Sequence, residues 1–198
     1  MSGFDLPTTV TINGISYPIR HQGDYRMVLD CFSALNDVEL GTELSVITAL
    51  TIFLDGFADP DELYAEFGES LTDAIKAMFN FFNCGEESIG AKAGADVVDW
   101  DADSQMIAGA INSVAGKEVR SLEYLHWWTF MGYYMSIGEC AFSTIVNIRS
   151  KIKKGKKLEK YEQDFRRDNP QYFVMRQRKT QEEQAFEDEL RSLWNNGD

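Results

Sequence analysis

Histidine and cysteine are both scarce in this chain. His21 and His126 are the only histidines in 198 residues, and neither belongs to an HExxH pattern or to a cysteine cluster of the kind that holds zinc. Cys31, Cys84 and Cys140 make an odd count without a CxxC pair. Each lies in or beside an apolar stretch, as small buried hydrophobes do, so a disulfide framework is not expected and a reducing compartment fits. Long apolar runs are missing too. Nothing approaches the roughly 18 uninterrupted apolar residues that a membrane span requires. The opening MSGFDLPTTV has neither a basic n-region nor an apolar h-region, so no signal peptide is expected.

Positive charge is also in short supply. Lysine and arginine total 19 against 32 acidic residues, a net charge of −13. Such a field repels phosphate backbones and anionic lipid headgroups, which argues against nucleic acid and membrane as partners. A solvated acidic surface explains the sign, and so does a role in holding basic or aggregation-prone proteins. The distribution is uneven: Asp55 to Asp103 carries 13 acidic residues against Lys76 and Lys92, and Arg149 to Lys160 carries seven basic residues against Glu159. Blocks of this kind pair between copies or with a partner of opposite pattern, or they are simply solvated turns.

Motifs for catalysis are absent as well. The sequence has no GxSxG and no GxxxxGK[ST], and no cysteine has a suggestively placed histidine. The run Asp96, Asp99, Asp101, Asp103 resembles a calcium loop only superficially. Counted from Asp99, the sixth and twelfth positions hold Ser104 and Ala110 where an EF-hand needs glycine and glutamate. Acidic residues ahead of a helix are explained by its N-terminal dipole. The expectation is no catalytic residue, no cofactor and no metal.

What is present is a packed-core composition, 44% hydrophobic and 13% aromatic. Thr9 to Ile12 and Ile15 to Tyr17 flank Asn13-Gly14, the dipeptide of a tight type I′ hairpin turn. Pro18 demotes the second strand to an edge, and an exposed hairpin edge is a docking surface. Helical spacing follows: Asp24 capping a segment to Leu35, Thr42 capping a buried run that Gly56 ends, and Asp59-Pro60 starting a helix that Gly68 kinks or divides. Further helices run from Met106 to Gly116, from Ser121 through Met135, from Cys140 to Lys154 and from Leu158 to Asp168. The predicted fold is mainly α, a multi-helix domain over residues 1–175 with an N-terminal β-hairpin and a glycine-rich loop at about 84–95 between two helical halves. A C-terminal charged helix over 176–198 carries Phe186, Leu190 and Leu193 as a thin apolar stripe.

The segment Glu123 to Phe130, EYLHWWTF, is the most unusual in the chain. Adjacent tryptophans on a helix point about 100° apart, so one can anchor a core while the other reaches a seam or a partner. Trp127, Trp128 and Phe130 are therefore candidates for packing or for contact. Asn13 and Gly14 are candidates through the hairpin edge. Lys151, Lys153, Lys154 and Lys157 are candidates for electrostatic pairing with acidic surfaces of neighbouring copies.

Taken in order, Leu6-Pro7, the Asn13-Gly14 hairpin, the triplet Asp24-Tyr25-Arg26, the segment Asp99 to Asp103, Leu122 to Phe130 with its LHWW-x-F, and Ile145 to Arg149 resemble the phage gene-product-fifteen family. That family has a DFR-like triplet after the hairpin, an acidic D-x-D segment before a helix, and an I-x-x-[YI]-R element. The likeness spans about residues 5–175. Tyr25 stands where the family usually has phenylalanine, and Ile107 to Ile111 is smaller than the family's tyrosine-containing stretch. Members are encoded in the tail-morphogenesis region of long-tailed phages and prophages. The resemblance implies a tail-assembly chaperone, not an enzyme, that forms homo-oligomers and binds the tape measure protein and other tail proteins in the host bacterial cytoplasm. A structural minor tail or connector protein, located in the virion tail, is the alternative it leaves open.

Overall fold

The computed structural model describes residues 4–37, 39–86 and 97–174. These form two compact units, one from residues up to 86 together with 123–131, the other from 97–122 and 132–174. The expected C-terminal helix over 176–198, and the loop at about 84–95 from residue 87 onward, lie outside the described residues.

In the first unit, β1 (Thr9–Ile12) and β2 (Ile15–Pro18) pair antiparallel with Ile12 opposite Ile15. Asn13 and Gly14 close the hairpin at φ 50° and 82°, the paired positive angles of a type I′ turn, which is why Asn-Gly stands there. The hairpin is tied down at its far end. The Asp55 amide donates to the Pro18 carbonyl at 3.0 Å, and Ile19 bridges Leu54. The Arg20 guanidinium donates from one nitrogen to the carbonyls of Thr51, Leu54 and Phe57. A cation thus meets the negative end of the helix that ends at Phe53, where carbonyls lack intrahelical partners.

That helix, α2 (Gly41–Phe53), follows α1 (Tyr25–Leu35). Asp24 caps α1 as expected, accepting from the Arg26 amide at 2.9 Å. Thr42 does not cap α2: the helix already begins at Gly41, and no side chain closes that end. Asp59 accepts from the Glu62 amide at the start of α3 (Pro60–Phe67), with proline in the first turn. Gly68, at φ 46°, separates α3 from α4 (Leu71–Phe82). Val28, Cys31, Leu50, Phe53, Leu54, Leu63, Ala74 and Met78 are fully buried and form this unit's core.

The second unit holds α5 (Ser104–Ala115), the later part of α6 (Trp127–Met135), α7 (Ala141–Lys153) and α8 (Lys160–Asp168). Gly116 ends α5 in the left-handed conformation at φ 67°. Ile107, Ile111, Val119, Phe142, Ile145, Ile148 and Leu158 make its core.

One helix starts later than its apolar spacing suggests. The expected helix from Ser121 is a 3-10 turn, Val119–Ser121, followed by an extended stretch, and α6 begins only at Trp127. The reason is long-range pairing. The Leu125 amide donates to the Asp24 carboxylate and its carbonyl accepts from the Tyr25 amide, both at 2.9 Å. Backbone groups engaged in that way are not free to continue a helix.

Candidate functional site

The most unusual sequence segment is tied to the rest of the first unit by several long-range hydrogen bonds. His126 stands one residue ahead of α6. Its Nδ1 accepts from the Trp128 amide at 3.0 Å, so the imidazole closes the open end of the helix. Accepting there leaves Nε2 as the protonated nitrogen, and it donates to the Pro7 carbonyl at 3.0 Å. The ring is 1% exposed, and burial lowers its pKa from the ordinary 6.5 against the opposing pull of the Pro7 carbonyl and Asp24. Both nitrogens are therefore engaged by backbone, and neither is left to ligate a metal or take a substrate proton.

The two tryptophans do parallel work. Trp127 Nε1 donates to the Phe82 carbonyl and Trp128 Nε1 to the Phe81 carbonyl, each at 2.9 Å. Together they satisfy carbonyls of the last turn of α4, which the helix itself cannot. Trp127 is 1% exposed, with its ring edge-on to Phe32 and stacked on Phe130 at 5.5 Å; Trp128 is half-buried against Phe81. Of packing and contact, Trp127 and Phe130 take packing. Trp128 is the member of the trio that retains a solvent-facing part.

The triplet Asp24-Tyr25-Arg26 completes this arrangement. Asp24 is buried and receives hydrogen bonds from Arg26 and from Leu125. Tyr25 stacks on Phe130 with ring centroids 4.6 Å apart, and the Arg26 guanidinium lies 4.7 Å over the Tyr25 ring. Ahead of it, His21, Gln22 and Gly23 take φ of 51°, 54° and 78°, a run of left-handed residues that L side chains resist. Only glycine fits at position 23, because a Cβ there would lie 2.8 Å from Phe81 Cζ and 3.0 Å from His126 Nε2. The Tyr124 hydroxyl donates to the Gln22 carbonyl at 2.9 Å and braces the turn. Sequence reasoning missed the open cleft that results, lined among others by His21, Arg26, Asp30, Glu123 and Tyr124. Its two walls are about a hundred residues apart in the chain, and no local pattern connects them.

In the second unit the acidic segment meets the arginine of Ile145 to Arg149. The Arg149 guanidinium grips the Asp103 carboxylate with two nitrogens at 2.6 and 3.0 Å, and both side chains are buried. Its remaining donors reach the carbonyls of Val97 and Tyr172. Asp99 accepts from the amides of Asp101 and Ala102, and Asp103 accepts from the Asp99 amide. Among the described residues no group of three or more His, Cys, Asp or Glu side chains is placed to hold a metal ion.

The remaining candidates take no part in these hydrogen-bonded arrangements. Asn13 and Gly14 are exposed at the hairpin tip. Lys151 is engaged within its own unit: its ammonium sits 2.7 Å from Glu162, which raises the lysine pKa and lowers that of the carboxyl. Lys153, Lys154 and Lys157 are exposed. No described helix is long and apolar enough to cross a membrane. Cys31, Cys84 and Cys140 are free thiols; burial pushes that of Cys84 up to about 11.

Compared with known proteins, residues 4–173 match the model of one family, described as Bacteriophage Gp15 protein. No curated protein and no solved structure matches the chain.

Proposed function

The chain belongs to the bacteriophage Gp15 protein family, and from that premise we propose that it is a tail-assembly chaperone, a non-catalytic protein that binds the tape measure protein during tail morphogenesis. It acts in the host bacterial cytoplasm and in several copies. The observation that carries this reading beyond the family is where the signature side chains go. Asp24, His126, Trp127 and Trp128 are all hydrogen-bonded to backbone of their own unit, and Asp103 and Arg149 to each other and to backbone of theirs. They build a scaffold, and what the scaffold offers is surface.

That surface suits a helical partner. Leu44 on α2 and Tyr64 on α3 are exposed in the first unit among carboxylates such as Glu43 and Asp61. Apolar anchors ringed by acid fit an amphipathic helix with basic flanks, and many copies would cover a long one.

An amber mutation in the gene tests the reading. Filled heads without tails in the lysate are the expected result under the electron microscope. Mass spectrometry of purified wild-type particles should then find the protein absent. Its presence there would instead make it a structural minor tail or connector protein, and normal infectious particles from the mutant would overturn both roles.

A further inference from the structure

The two units differ sharply in charge. Over the described residues, the first has 15 carboxylates against Arg20, Arg26 and Lys76, a net −12. The second has nine carboxylates against eleven lysines and arginines, a net +2. The chain's acidity is thus a property of one unit and not of the other.

Each unit also concentrates its unmatched charge. Asp55, Asp59, Asp61, Glu62, Glu66, Glu69 and Asp73 are all exposed around α3 and the start of α4, and none has a cationic partner among the described residues. Lys154, Lys156 and Lys157 between α7 and α8, and Lys160 at the start of α8, are exposed in the same unmatched state. Lys151, by contrast, is already paired with Glu162.

We propose that the lysine loop at 154–160 of one copy docks on the acidic α3–α4 surface of a second copy. The occupant is a second copy because this chain carries both halves of the complement. Like-to-like pairing would set one −12 unit against another, which electrostatics disfavours. The contact thus joins unlike surfaces, the lysine loop of one copy and the acidic face of another. This deepens the reading above, in which several copies act together, but it is tested in solution without phage, so either can fail alone.

The experiment is light scattering on the full chain, whose protomer mass is 22.5 kDa. At about 50 mM salt the mass should reach at least twice the protomer, and at about 0.5 M it should return to one protomer, because exposed charges are screened over a shorter distance. Replacing Lys154, Lys156 and Lys157 by Glu should give a monomer at low salt. Replacing Asp61, Glu69 and Asp73 by Lys, three side chains without a structural hydrogen bond here, should do the same. Mixing the two variants should restore association, since each then meets an opposite charge. Circular dichroism checks that both keep wild-type helicity; should a reversal lose it, the neutral set with Gln at the three lysines must show the same monomer. A wild-type monomer at low salt, association that survives either reversal, or a mixture that stays monomeric would overturn the proposal.

Discussion

His126 is held between two backbone groups that fix its proton. Burial lowers the pKa of the ring, so the folded chain resists the charged form, and protonating Nδ1 would also set N–H against the Trp128 N–H. The unfolded chain takes up a proton with ordinary affinity. The contribution of His126 to stability is therefore constant above about pH 6.5 and falls as pH drops from there toward the folded value, with a slope of at most about 1.4 kcal/mol per pH unit. Urea midpoints of wild type and His126→Gln at about pH 7.5 and pH 5.5 should show a larger acid loss in wild type, as linkage requires. Equal losses would assign the acid sensitivity to other groups. At this scale the sequence was partly legible: EYLHWWTF stood out, and the structure buries Trp127 and Phe130 as a packing role demands. The hydrogen bonds of His126 were not legible, because their acceptor and donor lie on Pro7, 119 residues away, and on a backbone amide.

Among elements, Arg149 links α7 to the turn ahead of α5. Replacing it with Met leaves the Asp103 carboxylate buried without a cation, which costs about 3–5 kcal/mol. Thermal or urea unfolding should show that loss for Arg149→Met, and a smaller additional loss when Asp103→Asn is combined with it, because the two side chains act as a pair. Strict additivity would sink the pairing. The acidic run itself was visible in the sequence, where a helix dipole was enough to explain it; its partner 46 residues on was not. Local signals did better wherever one residue decides the geometry. Asn13-Gly14, Asp24, Asp59-Pro60 and Gly116 sit where turn and cap chemistry places them. Apolar spacing misplaced the start of α6 because period alone cannot register that Leu125 is pairing with Asp24 and Tyr25.

For the whole molecule, charge is the property that composition summarises least well. A net −13 reads as one acidic protein, whereas the described residues divide into a strongly acidic unit and a weakly basic one. The uneven blocks were legible as blocks; that the acidic one divides, with Asp55 to Asp73 in the first unit and Asp99 to Asp103 in the second, was not, because no local pattern marks where one unit ends.

The first unit takes residues 123–131 across an intervening stretch, and that discontinuity has a consequence for synthesis. As the chain leaves the ribosome, residues 4–86 emerge long before Trp127 and Phe130, and until then the site they fill beside Phe32 and Tyr25 has no occupant. Closing so long a loop costs entropy before any contact rewards it, so this unit matures late and its aromatic interior stays wet in the nascent chain. A fragment ending at Leu122 should bind a hydrophobic dye and melt without cooperativity, and a synthetic peptide spanning residues 122–135 should suppress the dye signal. A fragment that melts sharply by itself would mean that the first unit is finished without residues 123–131.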